Sequence, residues 1–181
     1  AFYPTALYRL TGMDMRQTVN MGLDAALFFP GQMTALLQSV RQLQAQEERI
    51  STIFAFVQTA MAHKCRPEEP IDRVARAMLD PMENLSPVEW AAKACMSSRQ
   101  FERQFLTRVG ISPKLFLRIV RFEYAMQIKA ANPNCSWADI ALQSGYADSP
   151  HLQKDFRSFA EFAPGALYNS PNSGNGALPT G

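Results

Sequence analysis

The sequence predicts an all-α protein in which two helix-turn-helix subdomains are joined by a long linking helix and preceded by several amphipathic helices. Three observations lead to this prediction. Apolar residues recur at helical spacing from residue 33 onward, and no convincing β-alternation interrupts them. Serines in helix-start contexts recur through the second half of the chain, and three of them precede a proline. Finally, one two-helix pattern occurs twice within residues 84–169.

Composition and charge restrict the class of protein. The 181 residues are 47% hydrophobic and 19% charged, which is typical of a folded chain. No run of about 18 apolar residues occurs, so no membrane partner is expected. Three cysteines without a CxxC pair predict neither a disulfide framework nor a zinc site, and favour the cytoplasm. The net charge of +2 arises from 8 basic and 9 acidic residues over 1–83, and from 10 and 7 over 84–181.

The first 83 residues divide into two segments. Residues 1–30 mix aromatic residues, proline and methionine without a clear period, and we interpret them as the end of a truncated domain with one short helix. Residues 31–83 are predicted to be connecting helices, one pattern over 33–63 with a polar break at "QAQEER" and another over 71–82. The apolar faces of residues 31–63 are a candidate dimerisation surface.

Five helix starts organise the second half of the chain. Each has a serine in the capping position, followed by proline, by an acidic residue or by glutamine at the capping-box spacing. The third helix can run without a break to about Ala131, before "NPN". The tail, residues 170–181, is predicted to be disordered because of its Gly/Pro/Ser/Asn content. The five predicted capping residues are Ser86, Ser97, Ser112, Ser136 and Ser149.

The two copies of the repeated pattern share the positions of their apolar residues. Phe101 aligns with Leu152 and Phe105 with Phe156, at an offset of 51. Such a pair of short helices around a tight turn is the helix-turn-helix arrangement. Gly145 suits a turn residue with positive φ, and Cys95 occupies that place in the first copy, where the same conformation would cost up to about 1 kcal/mol.

Residues 85–169 resemble the DNA-binding domain of the AraC/XylS transcription regulators. The resemblance is carried by "SSRQFERQFLTRVGISPKLFLRIVRF" and by "IALQSGYADSPHLQKDFRSFAEFAP", whose G-Y-x-D-x-x-H-L-x-x-D-F is the most diagnostic segment. The departures are Cys95 in place of the usual turn glycine and Glu161 where glycine is common.

The resemblance implies a sequence-specific transcription regulator of bacteria. It would bind double-stranded promoter or operator DNA and contact RNA polymerase, would need no cofactor, and would be nucleoid-associated in the cytoplasm. The implied DNA-binding domain covers residues 84–169. More faintly, the first 80 residues resemble the end of a sensing domain and its connecting helices. Residues 1–30 would then be the remnant of that domain, and the effector pocket would be absent.

The recognition helices would lie at about 97–109 and 149–159. The linking helix of about 20 residues spans about 30 Å, and major-groove segments on one face of B-DNA recur every ~34 Å. A single chain could therefore place both recognition helices in successive major-groove segments.

Candidate contacts follow from the motif and from base chemistry. Arginine and lysine pair with guanine, glutamine with adenine, and glutamate accepts from cytosine. The base-contact candidates are Arg99, Glu102, Arg103, Ser149, His151, Gln153 and Lys154. The phosphate candidates are Ser97, Arg108, Ser112, Lys114, Arg118, Arg121 and Arg157.

Several alternatives stay open at this point. The Arg99–Arg103 face could be an ordinary solvated helix face, Glu102 could orient an arginine, and His151 could make a turn contact. The whole chain could be a helical protein-interaction module without base readout. An enzyme is not expected, because two histidines and scattered acids assemble no catalytic or metal-binding set.

Overall fold

The computed structural model describes residues 3–22, 24–29, 31–83 and 85–160, and these residues form an all-α fold, as predicted. No strand occurs among them; two short 3-10 helices, Met15–Gln17 and Ala25–Leu27, accompany the α-helices. The α-helices are α1 Ala6–Thr11, α2 Gln32–Gln42, α3 Gln46–Lys64, α4 Pro70–Ala77, α5 Pro87–Lys93, α6 Ser98–Val109, α7 Pro113–Ala131, α8 Trp137–Gln143 and α9 Ser149–Ala160. The predicted tail and Glu161 lie outside the described residues.

The chain divides into two compact units. The N-terminal unit comprises the described residues of 1–77 and 85–113, and the C-terminal unit comprises those of 78–84 and 114–160. The first helix-turn-helix copy, α5 and α6, is therefore grouped with the helices that precede it. The second copy, α8 and α9, is grouped with nearly all of the linking helix α7.

Side-chain caps start most of the predicted helices. At α5 the Ser86 hydroxyl accepts from the Glu89 amide, and Glu89 Oε2 accepts from the Ser86 amide at 2.7 Å, which completes the predicted capping box. Ser97 caps α6 by accepting from the Gln100 amide at 3.3 Å, and Ser136 caps α8 in the same way. These bonds are local, which is why the sequence reveals them.

The start of α9 differs from the prediction. Asp148, not Ser149, accepts the hydrogen bond from the His151 amide, at 2.9 Å. The helix begins at Ser149, so Asp148 occupies the capping position one residue earlier than expected. Aspartate satisfies an orphan amide as well as serine does and adds a favourable charge at the positive end of the helix dipole.

Two helix boundaries before residue 84 also differ. The break predicted at "QAQEER" covers only residues 43–45, because α3 begins at Gln46 and carries Glu47 in its first turn, where a carboxylate is favoured. The helix predicted over 71–82 ends at Ala77. Pro81 disfavours a helical conformation at Asp80, so the chain turns there instead.

The N-terminal unit has its core between α5 and α6. Trp90, Phe101 and Phe105 are fully buried, and the two phenylalanine rings lie 5.5 Å apart. The first 3-10 helix also packs on α6. A side chain at Gly110, whose φ is +93°, would come within 2.9 Å of the Met15 carbonyl oxygen, so only glycine allows this approach.

The C-terminal unit has a separate core. Ile140 and Ala141 of α8 pack with Leu152 of α9, Ala125 of α7 and Tyr146 of the turn. Because alanine is small, Ala141 permits close approach of the two helices, as the repeat predicted. Partly buried Phe122, Ile128, Cys135 and Trp137 complete this core.

The turns of the two repeat copies adopt the same backbone conformation. Gly145 has φ +77°, and Cys95, at the corresponding place, has φ +57°. Cys95 is exposed, so it gains no burial that would offset the left-handed conformation.

Exchanging the turn residues should therefore change stability in opposite directions. We expect Cys95→Gly to raise the free energy of unfolding by about 1 kcal/mol, and Gly145→Ala to lower it by a similar amount. A Cβ at Gly145 would meet no described atom within 4 Å, so the second change tests conformation alone. Urea unfolding of both variants measures the effect, and a loss of stability in Cys95→Gly would contradict the prediction.

Candidate nucleic-acid interface

The outer side of α6 carries Arg99, Glu102 and Arg103, which we call the α6 outer face. All three side chains are exposed, and none makes a hydrogen bond or ion pair with another described residue. Phe101 and Phe105 hold the opposite side of the helix in the core. The helical period thus separates a packed side from an open, charged one.

Arg108 does not fit the predicted phosphate role. Its side chain is only 6% exposed, and its Nη1 lies 3.1 Å from both carboxylate oxygens of Asp72. Its Nη2 lies 2.7 Å from Glu69, and the guanidinium stacks 4.8 Å from the centre of the Tyr8 ring. Burial alone would lower the pKa of Arg108, but Glu69 and Asp72 outweigh it and raise the pKa. The reason is its position seven residues after Phe101, on the buried face of α6.

The outer face of α9 carries exposed side chains that include His151, Lys154 and Arg157. Leu152 and Phe156 are fully buried on the opposite face, as the repeat predicted. The spacing of apolar residues thus places the same side of both repeat copies in a core.

Two base-contact candidates on α9 are engaged with each other. Ser149 and Gln153 are half-buried, and the Gln153 amide nitrogen donates to the Ser149 hydroxyl at 3.4 Å. His151 Nδ1 lies 2.8 Å from Asp148, which is the turn contact considered as the alternative for this histidine. That bond still leaves the exposed far edge of the ring for a ligand.

A hydrogen-bonded network connects α7, the turn and α9. Asp155, 7% exposed, accepts from Arg118 Nη2 at 2.6 Å and from the Tyr146 hydroxyl at 3.2 Å. Burial, reinforced by the Asp155 charge, raises the pKa of Tyr146, so its hydroxyl remains a donor. The hydrogen bond to Asp155 raises the pKa of Arg118. Arg118 is therefore paired within its unit, which leaves it less available for a phosphate than the sequence suggested.

Asp155 and Tyr146 were missed by sequence reasoning. The sequence does place Asp155 next to Phe156 on the inner side of α9. Because a carboxylate that faces inward requires a partner, this position could have indicated a buried ion pair. The partner, Arg118, lies 37 residues earlier in the chain, and no local pattern connects the two.

Cationic side chains from α7 and α9 meet around one open cleft of about 540 Å³, which we call the basic cleft. It brings together candidates that the sequence had assigned to different roles, phosphate contacts on α7 and base contacts on α9. Arg121 lies half-buried against it, 5.4 Å from the centre of the Tyr146 ring. The lining residues are Lys114, Arg118, Arg121, Tyr146, Ala147, His151, Lys154 and Asp155.

The remaining phosphate candidates occupy different environments. Ser97 is exposed at the start of α6, and Ser112 is half-buried just before α7. Arg157 is exposed on α9. Within the described part of the chain, no group of three or more His, Cys, Asp or Glu side chains is arranged to hold a metal ion. No described helix is both long and apolar enough to cross a membrane.

Comparison with known proteins assigns the class of the domain. Residues 90–170 match the model of a helix-turn-helix domain family. The crystal structure of the DNA-binding domain of AdpA, a global transcriptional factor, in complex with a target DNA is similar in fold and sequence, with a TM-score of 0.51 and 26% identity. The similarity covers 56% of this chain and 92% of the AdpA domain. No curated protein sequence matches the chain significantly.

Residues 90–170 therefore form a helix-turn-helix domain, and the chain is similar in fold to the DNA-binding domain of AdpA. The matched residues overlap residues 85–169, which resemble the DNA-binding domain of the AraC/XylS regulators in sequence.

Proposed function

We propose that this protein is a sequence-specific transcription regulator that places α6 and α9 in successive major-groove segments of double-stranded DNA. The observation that carries the proposal is the α6 outer face. Arg99, Glu102 and Arg103 stand exposed on a helix whose other side is fixed in the core, within a domain that matches a helix-turn-helix family. A rigid helix with two arginines is suited to bidentate contacts with guanine.

The length of the linking helix supports reading at two places. With 19 residues, α7 is about 28 Å long. Major-groove segments on the same face of B-DNA recur every ~34 Å. The AdpA domain was crystallised with its target DNA, which supports duplex DNA as the ligand here as well.

Base readout by Arg103 can be tested by substitution. We expect Arg103→Ala to lower the affinity for the selected duplex by about 1–3 kcal/mol and to relax the preference at one base pair. Selection of bound duplexes from a random library at two salt concentrations gives the preferred sequence, and titration of that duplex gives the affinity.

A matched control is Arg73→Ala, which removes an exposed arginine from α4, outside both helix-turn-helix copies. It should leave the base preference unchanged. If Arg103→Ala has the same affinity and the same preference as the unmodified chain, α6 does not read bases through Arg103. If the unmodified chain enriches no sequence, the protein-interaction alternative gains over the proposed function.

We also propose that α2 and α3 pair with a second copy of the chain. Large apolar side chains, Leu37, Ile50, Ile53 and Phe54, are between 44% and 61% exposed on these helices. Exposed apolar side chains on two neighbouring helices are typical of interaction sites. The same helices also carry both signs of charge, with Arg41 near the end of α2 and Glu47 at the start of α3. Such a charge pattern allows two copies to pair antiparallel.

Light scattering of the full chain over a range of concentrations tests the dimer. A monomer at the highest concentration would exclude it. RNA polymerase is a further proposed partner, as expected of a regulator bound at a promoter, and the proposed place of action is the nucleoid in the cytoplasm.

A further inference from the structure

We propose that the basic cleft is a binding site for one phosphate group, and that in the DNA complex this group is a phosphodiester of the duplex backbone. The inference rests on the proposed function and makes it more specific. It assigns Lys154, a base-contact candidate whose side chain can reach guanine or phosphate, to a phosphate, and it assigns Arg118 to the support of the site.

The charges of the lining point to an anion. Four cationic side chains, those of Lys114, Arg118, Arg121 and Lys154, face the cleft with one carboxylate, Asp155, so the lining carries a net +3 with His151 neutral. Arg118 is paired with Asp155. The other three cations make no ion pair with a carboxylate among the described residues. Like charges gathered around one opening repel one another, and an anion between them removes that cost.

The hydrogen-bonded network around Asp155 holds the arginine side chains of the cleft in place. Asp155 holds both Arg118 and the Tyr146 hydroxyl, and so joins α7 to α9 on the floor of the cleft. The Tyr146 ring in turn supports the Arg121 guanidinium. A guanidinium held in one orientation can donate two parallel hydrogen bonds to phosphate oxygens, and flexible lysines add point charges.

The chemistry of the cleft selects a phosphate over other ligands. The cleft is open and lined by cations, which disfavours an apolar ligand. The exposed lysines at its rim, Lys114 and Lys154, lie on α7 and α9, so a strand passing along α9 would bring a backbone phosphate to both. The Asp155 carboxylate does not oppose this anion, because Arg118 neutralises it.

The test uses the full chain and duplexes with single neutral methylphosphonate linkages. For Lys114→Gln and for Lys154→Gln we expect weaker binding on every duplex, an unchanged base preference, and a slope of log affinity against log salt reduced by about 1. At one position of the duplex, replacing the phosphate with a methylphosphonate should weaken binding by the unmodified chain. The same replacement should not further weaken binding by Lys114→Gln, which already lacks the contact. Arg73→Gln, which removes an exposed charge on α4, outside the cleft, should still bind more weakly when that linkage is neutralised.

The outcomes separate the cleft from the function. The phosphate site is overturned, and the proposed function stands, if the unmodified chain selects a sequence but two other results fail. These are the reduced salt slope of Lys114→Gln and the insensitivity of that variant to one neutral linkage. If Lys154→Gln changes the preferred base at one position, Lys154 reads a base and its assignment to phosphate is wrong. If no duplex is selected at all, the proposed function itself fails.

A second measurement identifies the source of the phosphate. Inorganic phosphate is titrated into the chain without DNA while the amide resonances of α7 and α9 are followed. Shifts that disappear in Lys114→Gln, together with the linkage effect, support a site for a backbone phosphate. If the same shifts occur but no methylphosphonate linkage weakens DNA binding, the cleft binds a free phosphorylated molecule. Its assignment to the duplex backbone is then wrong.

Discussion

Arg108→Ala is expected to lower the free energy of unfolding of the N-terminal unit by about 3–5 kcal/mol. The substitution leaves the Asp72 carboxylate, whose side chain is 1% exposed, buried without its cation. A buried charge that has lost its partner bears the full cost of its desolvation. The Glu69 contact adds little, because that side chain is 53% exposed and its charge is screened by water.

The effect is measured by urea unfolding, with hydrogen exchange resolved by segment to separate the two units. Arg103→Ala provides a matched control, since it removes the same side chain from the exposed face of the same helix and should change stability by less than about 0.5 kcal/mol. The double variant Asp72→Ala/Arg108→Ala should be less destabilised than the sum of the single variants, because it leaves no unpaired charge. A loss below about 1 kcal/mol in Arg108→Ala would mean that Asp72 reaches water or another cation.

Phe156→Ala is expected to cost about 3–5 kcal/mol in the C-terminal unit. Phe156 is fully buried. Its ring lies edge-to-face against Phe122 at 5.5 Å and against Trp137 at 5.8 Å, so its removal leaves a cavity and breaks two aromatic pairs. Because these contacts hold α9 against α7 and α8, we also expect the part of the DNA site assigned to α9 to lose its base preference.

Phe159→Ala, on the same helix, is the matched control. Phe159 also contacts Phe122, at 5.4 Å, but it is only half-buried, so its removal opens to solvent and should cost clearly less. Unfolding in urea and duplex selection are measured on both variants. Equal losses of stability would contradict the assignment of Phe156 to the centre of this core.

Much of the fold was predictable because its signals are local. A serine cap and its amide partner lie three residues apart, as at Ser86 and Ser136, and both caps are confirmed. The apolar spacing placed Phe101 and Phe105 in one core and Leu152 and Phe156 in the other. The boundaries were less predictable, since aspartate and serine compete for the cap at Asp148–Ser149.

The candidate site was predictable only for side chains that have no partner within the described part of the chain. The helical period placed Arg99 and Arg103 outside, and they are exposed. The same period placed Arg108 on the buried face, but basic charge alone suggested a phosphate contact. What a buried charge pairs with depends on residues that are far away in the sequence.

The sequence by itself determined the all-α class, most helix starts, the repeated two-helix unit and the faces that α6 and α9 expose, because hydrogen-bonded caps and apolar spacing act over a few residues. Only the tertiary structure decided which cations are exposed. It paired Arg108 with Asp72 across 36 residues and Arg118 with Asp155 across 37, and it gathered Lys114, Arg121 and Lys154 around one cleft. The physical reason is that Coulomb interactions depend on distance in space, and packing brings together segments that no sequence spacing relates.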